Sequence, residues 1–124
     1  MTVQPKIYRK AFQLPIETIV YVPSTDKTQK EVPIEQMNKR VDEVRKWLAK
    51  RYGGYTSSQN VGGYVMRNGL VVHEDVVKVT AYSTVENFKK YKSLVLARLK
   101  RWCKKWGQES IGYEYEGDLL YISA

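Results

Sequence analysis

Three residues in a row, His73-Glu74-Asp75, sit inside the valine-rich run VVHEDVVKVT and are the first candidates for chemistry. Side chains alternate along a strand, so Glu74 faces one side and His73 with Asp75 the other. At least one carboxylate therefore points where such a strand is ordinarily apolar. A buried carboxylate is costly unless it is paired or used. The plain reading is an exposed sheet edge or an ion pair to the second helix; the functional one is an anionic group kept for a ligand. A second stretch, GGYTSSQNVGG at 53–63, offers backbone N–H groups and hydroxyls to a polar ligand, unless it is only a helix cap followed by a loop. It is neither a phosphate loop nor a dinucleotide fingerprint, because it leaves a helix instead of opening one. A third, WGQESIGYEY at 106–115, sets Gln108 and Glu109 where a basic helix passes into a tyrosine-rich strand. One His and one Cys exclude most metal cages, and no Ser or Cys nucleophile lies in a recognisable motif. No metal and no cofactor is expected.

The elements that must position these residues follow from periodicity. IETIVYV at 16–22 is β-branched, bracketed by Pro15 and Pro23, and reads as the first strand. STDKTQKEV is polar and reads as a loop. Pro33 suits the first residue of a helix with an apolar stripe of Ile34, Met37, Val41, Val44, Leu48 and Tyr52, which Gly53-Gly54 ends. Next, VGGYVMRNGLVVHEDVVKVTAYS reads as a hairpin, since Asn68-Gly69 is the pair a type I′ turn demands. Unless a bulge intervenes, that turn sets Tyr64 opposite His73 and Gly63 opposite Glu74. Gly62-Gly63 weakens a strand, so either something approaches the backbone there or the strand bulges. Ser83 and Glu86 form a capping box for a second helix with the stripe Phe88, Tyr91, Val95, Leu99, Trp102 and Trp106, ended by Gly107. SIGYEYEGDLLYI supplies a strand, a turn near Glu116-Gly117-Asp118 and a short last strand.

The order β-α-β-β-α-β implies an α+β, ferredoxin-like fold. Its four-stranded antiparallel sheet carries two helices on one face, with a short extra C-terminal strand. The other sheet face has no cover from within the chain, so an oligomer or a ligand is expected there. At 124 residues and 43% hydrophobic, residues 1–124 suit a single domain with 1–14 as an N-terminal extension. No apolar run approaches the roughly 18 residues of a membrane span. The start, MTVQPKIYRKAFQL, lacks the apolar core of a signal peptide. The lone Cys103 has no disulfide partner, which fits a reducing compartment, and a cytoplasmic location is expected.

The net charge of +8 is concentrated over 84–106, where eight Lys and Arg stand against Glu86 alone. Two readings stay open. The helix presents a solvated face, or it neutralises phosphates, with Lys89, Lys92, Lys100, Arg101, Lys104 and Lys105 as the nucleic-acid candidates. It lacks the Asn/Gln/Arg pattern of base readout. VVKVTAY on the third strand also lacks the motif of an RNA-stacking platform.

Taken in order, these pieces resemble the small phage-encoded enzymes that destroy S-adenosylmethionine, and related viral proteins of ferredoxin-like, PII-like architecture. The matching series is Gly53 to Ser58, Gly62-Gly63-Tyr64, Glu74-Asp75 leading into Val77-Lys78-Val79, a long helix, then Trp106-Gly107-Gln108-Glu109. It covers roughly residues 50–115. The resemblance implies a homotrimer in a virus-infected cell, with active sites at subunit boundaries. It also implies a metal-independent lyase that releases methylthioadenosine and homoserine lactone from S-adenosylmethionine. In that scheme Glu74 is the catalytic carboxylate, set against the sulfonium or the ammonium. Tyr64, Ser57 and the backbone at Gly62 and Gly63 shape the adenosine or carboxylate pocket, and Gln108 bonds substrate or a neighbouring subunit. The alternative is a non-catalytic oligomeric viral protein of the same fold that binds nucleic acid through its basic second helix.

Overall fold

The computed structural model describes residues 13–124, so most of the expected extension 1–14 lies outside the described residues. The chain runs β1 (Ile16–Pro23), α1 (Ile34–Tyr52), β2 (Thr56–Val65), β3 (Val71–Ser83), α2 (Val85–Lys105), β4 (Ile111–Tyr115) and β5 (Asp118–Ile122). The strands form one antiparallel sheet in the order β2-β3-β1-β4-β5. This is the ferredoxin-like order with one strand added outside β4. Alternation sorts the sheet into two faces. Val20, Val22, Val77, Val79, Ala81, Ile111 and Tyr113 pack with Val44, Leu48, Val95, Leu99 and Trp102 from both helices in one core. The α1 stripe enters that core from Met37 onward, whereas Ile34 stays exposed. Among the described residues no helix is long and apolar enough to cross a membrane.

Three local expectations shift. First, β2 begins at Thr56, so TSSQN is strand and not loop. It is an edge strand, exposed along most of its length, where hydroxyls and amides lose no hydration; the valine-rich β3 supplies its ladder. Second, Asn68 does not adopt the positive φ of a type I′ turn; only Gly69 does, at φ 86°. The Gly69 N–H donates to Met66 O and the Met66 N–H to Leu70 O, while the Asn68 side chain accepts from the Leu70 N–H. This is a three-residue loop with a glycine bulge, and it moves the register by one. The true type I′ geometry occurs at Glu116-Gly117, with φ of 51° and 81°, between β4 and β5. Third, α2 is capped by Thr84, whose hydroxyl accepts from the Asn87 N–H, because Ser83 is buried at the end of β3 opposite Ile16. Gly53 and Gly107 end their helices as expected.

The face away from the helices is partly closed by the chain itself. Tyr21 donates to Glu114 at 2.9 Å and Tyr82 to Glu17 at 2.8 Å, and Ile19 on this face is buried. Burial, reinforced by Glu114, pushes the Tyr21 phenol up to about 12. Tyr82, Leu119 and Tyr121 remain exposed beside it.

The helices are joined by a charged aromatic seam. Trp102 meets Trp47 edge-on at 5.9 Å and stacks on Trp106 at 5.6 Å, with the Arg98 guanidinium over both Trp47 and Trp102. Glu43 on α1 accepts from the Trp102 indole and from Lys105 on α2. Burial alone would raise this carboxyl, but Lys105 and Trp102 outweigh it and hold it below the usual carboxylate range. The folded value lies below the unfolded one. The contact therefore stabilises above a pH of about 4.3 and is lost as pH falls through the lower folded value. Glu43→Gln is expected to cost about 1 kcal/mol near neutrality and progressively less in acid. Paired thermal melts at neutral and strongly acidic pH check this; an equal gap at both would show that shape, not charge, binds the seam.

Candidate functional site

The one-residue register shift decides which side chains share a face. β2 and β3 pair Gly62 with Glu74, Gly63 with His73 and Tyr64 with Val72. The expected pairing would have put Tyr64 with His73. The actual one places Tyr64, Gly62 and Glu74 together, and leaves His73 and Asp75, both exposed, on the reverse. The strand does not bulge at Gly62-Gly63. A Cβ on Gly63 would lie 3.2 Å from Val72 O, while one on Gly62 would meet nothing closer than 3.7 Å. Gly62 therefore leaves the flank of the half-buried Glu74 open, with Tyr64 standing beyond it. Burial raises the Tyr64 phenol, and Glu74 and then Glu109 raise it further, so two carboxylates act on this hydroxyl.

Thr25 completes the niche. It lies two residues past β1, along the line on which Pro23 pairs with Val76, and its Oγ1 donates to Glu74 Oε2 at 2.9 Å. The Thr25 carbonyl accepts from two sides: Arg40 Nη1 on α1 at 2.9 Å and Gln108 Nε2 at the α2–β4 junction at 2.7 Å. Arg40 also donates to Pro23 O at 2.8 Å and lies 5.3 Å from the Trp106 ring centroid. Its burial lowers its pKa, opposed by Asp26 and Glu74. Gln108 gives its second amide hydrogen to Trp106 O, so toward a ligand only its Oε1 is left. Gly107 allows this convergence. It has φ of 64°, and a Cβ there would come within 2.8 Å of Lys27 Cβ. No side chain fits between the helix end and the loop.

The site residues expected from sequence thus divide. Thr25 bonds Glu74 through its hydroxyl and Gln108 through its carbonyl, and Gly62 and Tyr64 lie on the Glu74 face of β2. Ser57 and Gly63 lie on the other face of β2. Ser57 accepts from Arg45 Nε and Nη2, at 3.2 and 2.8 Å, in a separate groove of about 370 Å³ between α1 and β2. Strand alternation keeps Ser57 and Glu74 apart within one chain. Thr25 and Arg40 were not anticipated. Arg40 carries a readable signal, because a charged residue three past Met37 and four before Val44 falls on the apolar stripe. Thr25 carries none, since its role depends on the pairing of β1 with β3.

The cations of α2 divide into engaged and exposed ones. Lys105 pairs with Glu43, and Lys92 lies over the Phe88 and Tyr115 rings. Lys89, Lys100, Arg101 and Lys104 are exposed on the solvent side of the helix. Cys103 is fully buried, its thiol donates to Gln108 O, and burial raises its pKa. Among the described residues the ion pairs are Arg45–Asp42 and Lys105–Glu43, so no cation closes on Glu74. In a chain of net charge +8, Glu74 and Glu109 set two carboxylates near Tyr64, and the buried Arg40 guanidinium also acts on Glu74. Such a site suits a small cation-bearing ligand with an apolar or aromatic body against Tyr64.

No family model and no curated protein sequence matches the chain. Two solved structures do. A phage SAM lyase in complex with S-methyl-5′-thioadenosine superposes with a TM-score of 0.62 at 21% identity, covering 88% of this chain and 89% of that one. A phage SAM lyase in the apo state gives 0.60 at 21% identity, with the same coverage. The chain is similar in fold, over nearly its whole length, to phage SAM lyase.

Proposed function

We propose that this protein is a lyase that cleaves S-adenosylmethionine into methylthioadenosine and homoserine lactone, at sites completed between copies of a homotrimer. The observation that carries the reading is the Glu74 niche, an anionic strand residue flanked by a glycine gap and a tyrosine. The fold shared with phage SAM lyase supports it. Ser57 and Glu74 lie on opposite faces of β2, so in this reading both reach one ligand only if it sits between two copies.

The chemistry asks little of the protein. The substrate's own carboxylate oxygen bonds to its γ-carbon as the γ-carbon–sulfur bond breaks. The electron pair of that bond goes to sulfur, which leaves as a neutral thioether. No proton moves. Carboxylate and sulfonium annihilate each other's charge, so a dry site that holds the folded conformer favours the reaction. The ammonium, in contrast, keeps its charge throughout. A carboxylate on the sulfonium would stabilise the substrate more than the transition state; on the ammonium it binds both equally. Glu74 is therefore assigned to the ammonium, Tyr64 to the adenosine body, and Gln108 Oε1 to a polar group of substrate or neighbour.

Purified protein incubated with S-adenosylmethionine is expected to yield methylthioadenosine, and Glu74→Gln to lose at least tenfold in kcat/KM, about 1.4 kcal/mol. Absence of turnover in the wild type, or unchanged turnover in the variant, removes the reading. Gly62→Ala separates site from fold. Its Cβ meets only ordinary contacts, so thermal stability should hold or rise by up to about 1 kcal/mol, while substrate affinity falls as the methyl enters the niche. Sedimentation of the wild type should give a trimer; a monomer that is fully active would overturn the shared site.

A further inference from the structure

The loop of residues 24–32 reads from sequence as a simple polar connection, yet it is the most heavily tethered loop among the described residues. Ser24 O accepts from the Val32 N–H at 2.8 Å, Thr25 bridges Glu31, and Asp26 Oδ1 closes the turn on Thr28 and Lys30. The tether of greatest consequence is Arg40. It is 3% exposed, forms no ion pair among the described residues, and has an unpartnered Nε. A buried guanidinium without a carboxylate is costly. What it holds is the backbone on either side of Ser24, through Pro23 O and Thr25 O. Gln108 grips the same Thr25 carbonyl from another element. Two side chains, from α1 and from the α2–β4 junction, thus fix one carbonyl, and the residue so fixed points its hydroxyl at Glu74.

We infer that Thr25 is a positioning residue for the reaction proposed above, on which this inference rests. Its hydroxyl occupies one oxygen of Glu74 with a neutral donor and so aims the other at the ligand. A neutral donor orients the carboxylate without neutralising it. A lysine in its place would do the first and undo the second. Arg40 and Gln108 act one step further back, by setting where the hydroxyl stands.

Thr25→Val removes the donor at nearly constant volume, and Thr25→Ser restores it. The valine variant is expected to lose about tenfold in kcat/KM, the scale of one hydrogen bond to a charged group, and the serine variant to keep most of it. Both should melt close to the wild type. The decisive readout is the Glu74→Gln background, where Thr25→Val should change nothing further, because Thr25 acts only through that carboxylate. Should the valine variant not fold, Thr25→Ala and Thr25→Ser carry the same comparison. A wild type that cleaves S-adenosylmethionine with an unaffected Thr25→Val variant, an equal loss in valine and serine variants, or a full additive loss on Glu74→Gln overturns the positioning role and leaves the lyase reading standing. A wild type without turnover overturns both.

Discussion

The register of the β2–β3 hairpin is the constraint on which the candidate site depends. Side chains on paired strands repeat every two residues, so a slip of one moves every residue of one strand to the opposite face. The loop Arg67-Asn68-Gly69 sets that slip: its single positive-φ glycine makes a bulged three-residue turn where a two-residue turn was available. With the shorter turn Tyr64 would lie with His73. With the longer one it lies with Glu74 and the empty position at Gly62. A turn at the far end of the ribbon thus determines the composition of a niche several residues away, with no contact between the two.

Electrostatics work on two scales. The net charge of +8 describes attraction felt at a distance, which solution ions screen within about 10 Å. Near Tyr64 the local field is instead that of Glu74 and Glu109, which add to burial in raising its phenol. Of the lysines of α2, Lys105 is engaged by Glu43, and Lys90 and Lys92 by aromatic rings. A basic chain can therefore set two carboxylates near one tyrosine. The buried Arg40 donates hydrogen bonds to two carbonyls, lies against Trp106, and feels the charge of Asp26 and Glu74.

Much of this architecture is legible in the sequence. The apolar stripes of both helices, the glycine stops at Gly53 and Gly107, the β-branched strands and the ferredoxin-like order all rest on local periodicity, and they match the structure. What was misread depended on distant partners. TSSQN carries no strand signal of its own and becomes one because β3 offers it a ladder. Asn68-Gly69 carries the signal for a type I′ turn, yet the Asn68 side chain bonds the Leu70 N–H and keeps its own backbone out of the left-handed region. Of the site, the alternation of His73, Glu74 and Asp75 was readable. The meeting of Thr25, Arg40 and Gln108 was not, because it brings together three elements separated by up to 83 positions in the chain.

The niche has walls of unequal stiffness. Val76 to Thr80 of β3 are held between β1 and β2, whereas the ribbon beyond, carrying Tyr64, has only its own two strands. Two-stranded ribbons twist more freely than wide sheets. Glu74, at the root, is anchored through Thr25 to the body of the molecule; Tyr64 rides on the part that can rotate. Torsion of the ribbon alone would therefore change the distance between the Glu74 carboxylate and the Tyr64 ring while leaving the core undisturbed.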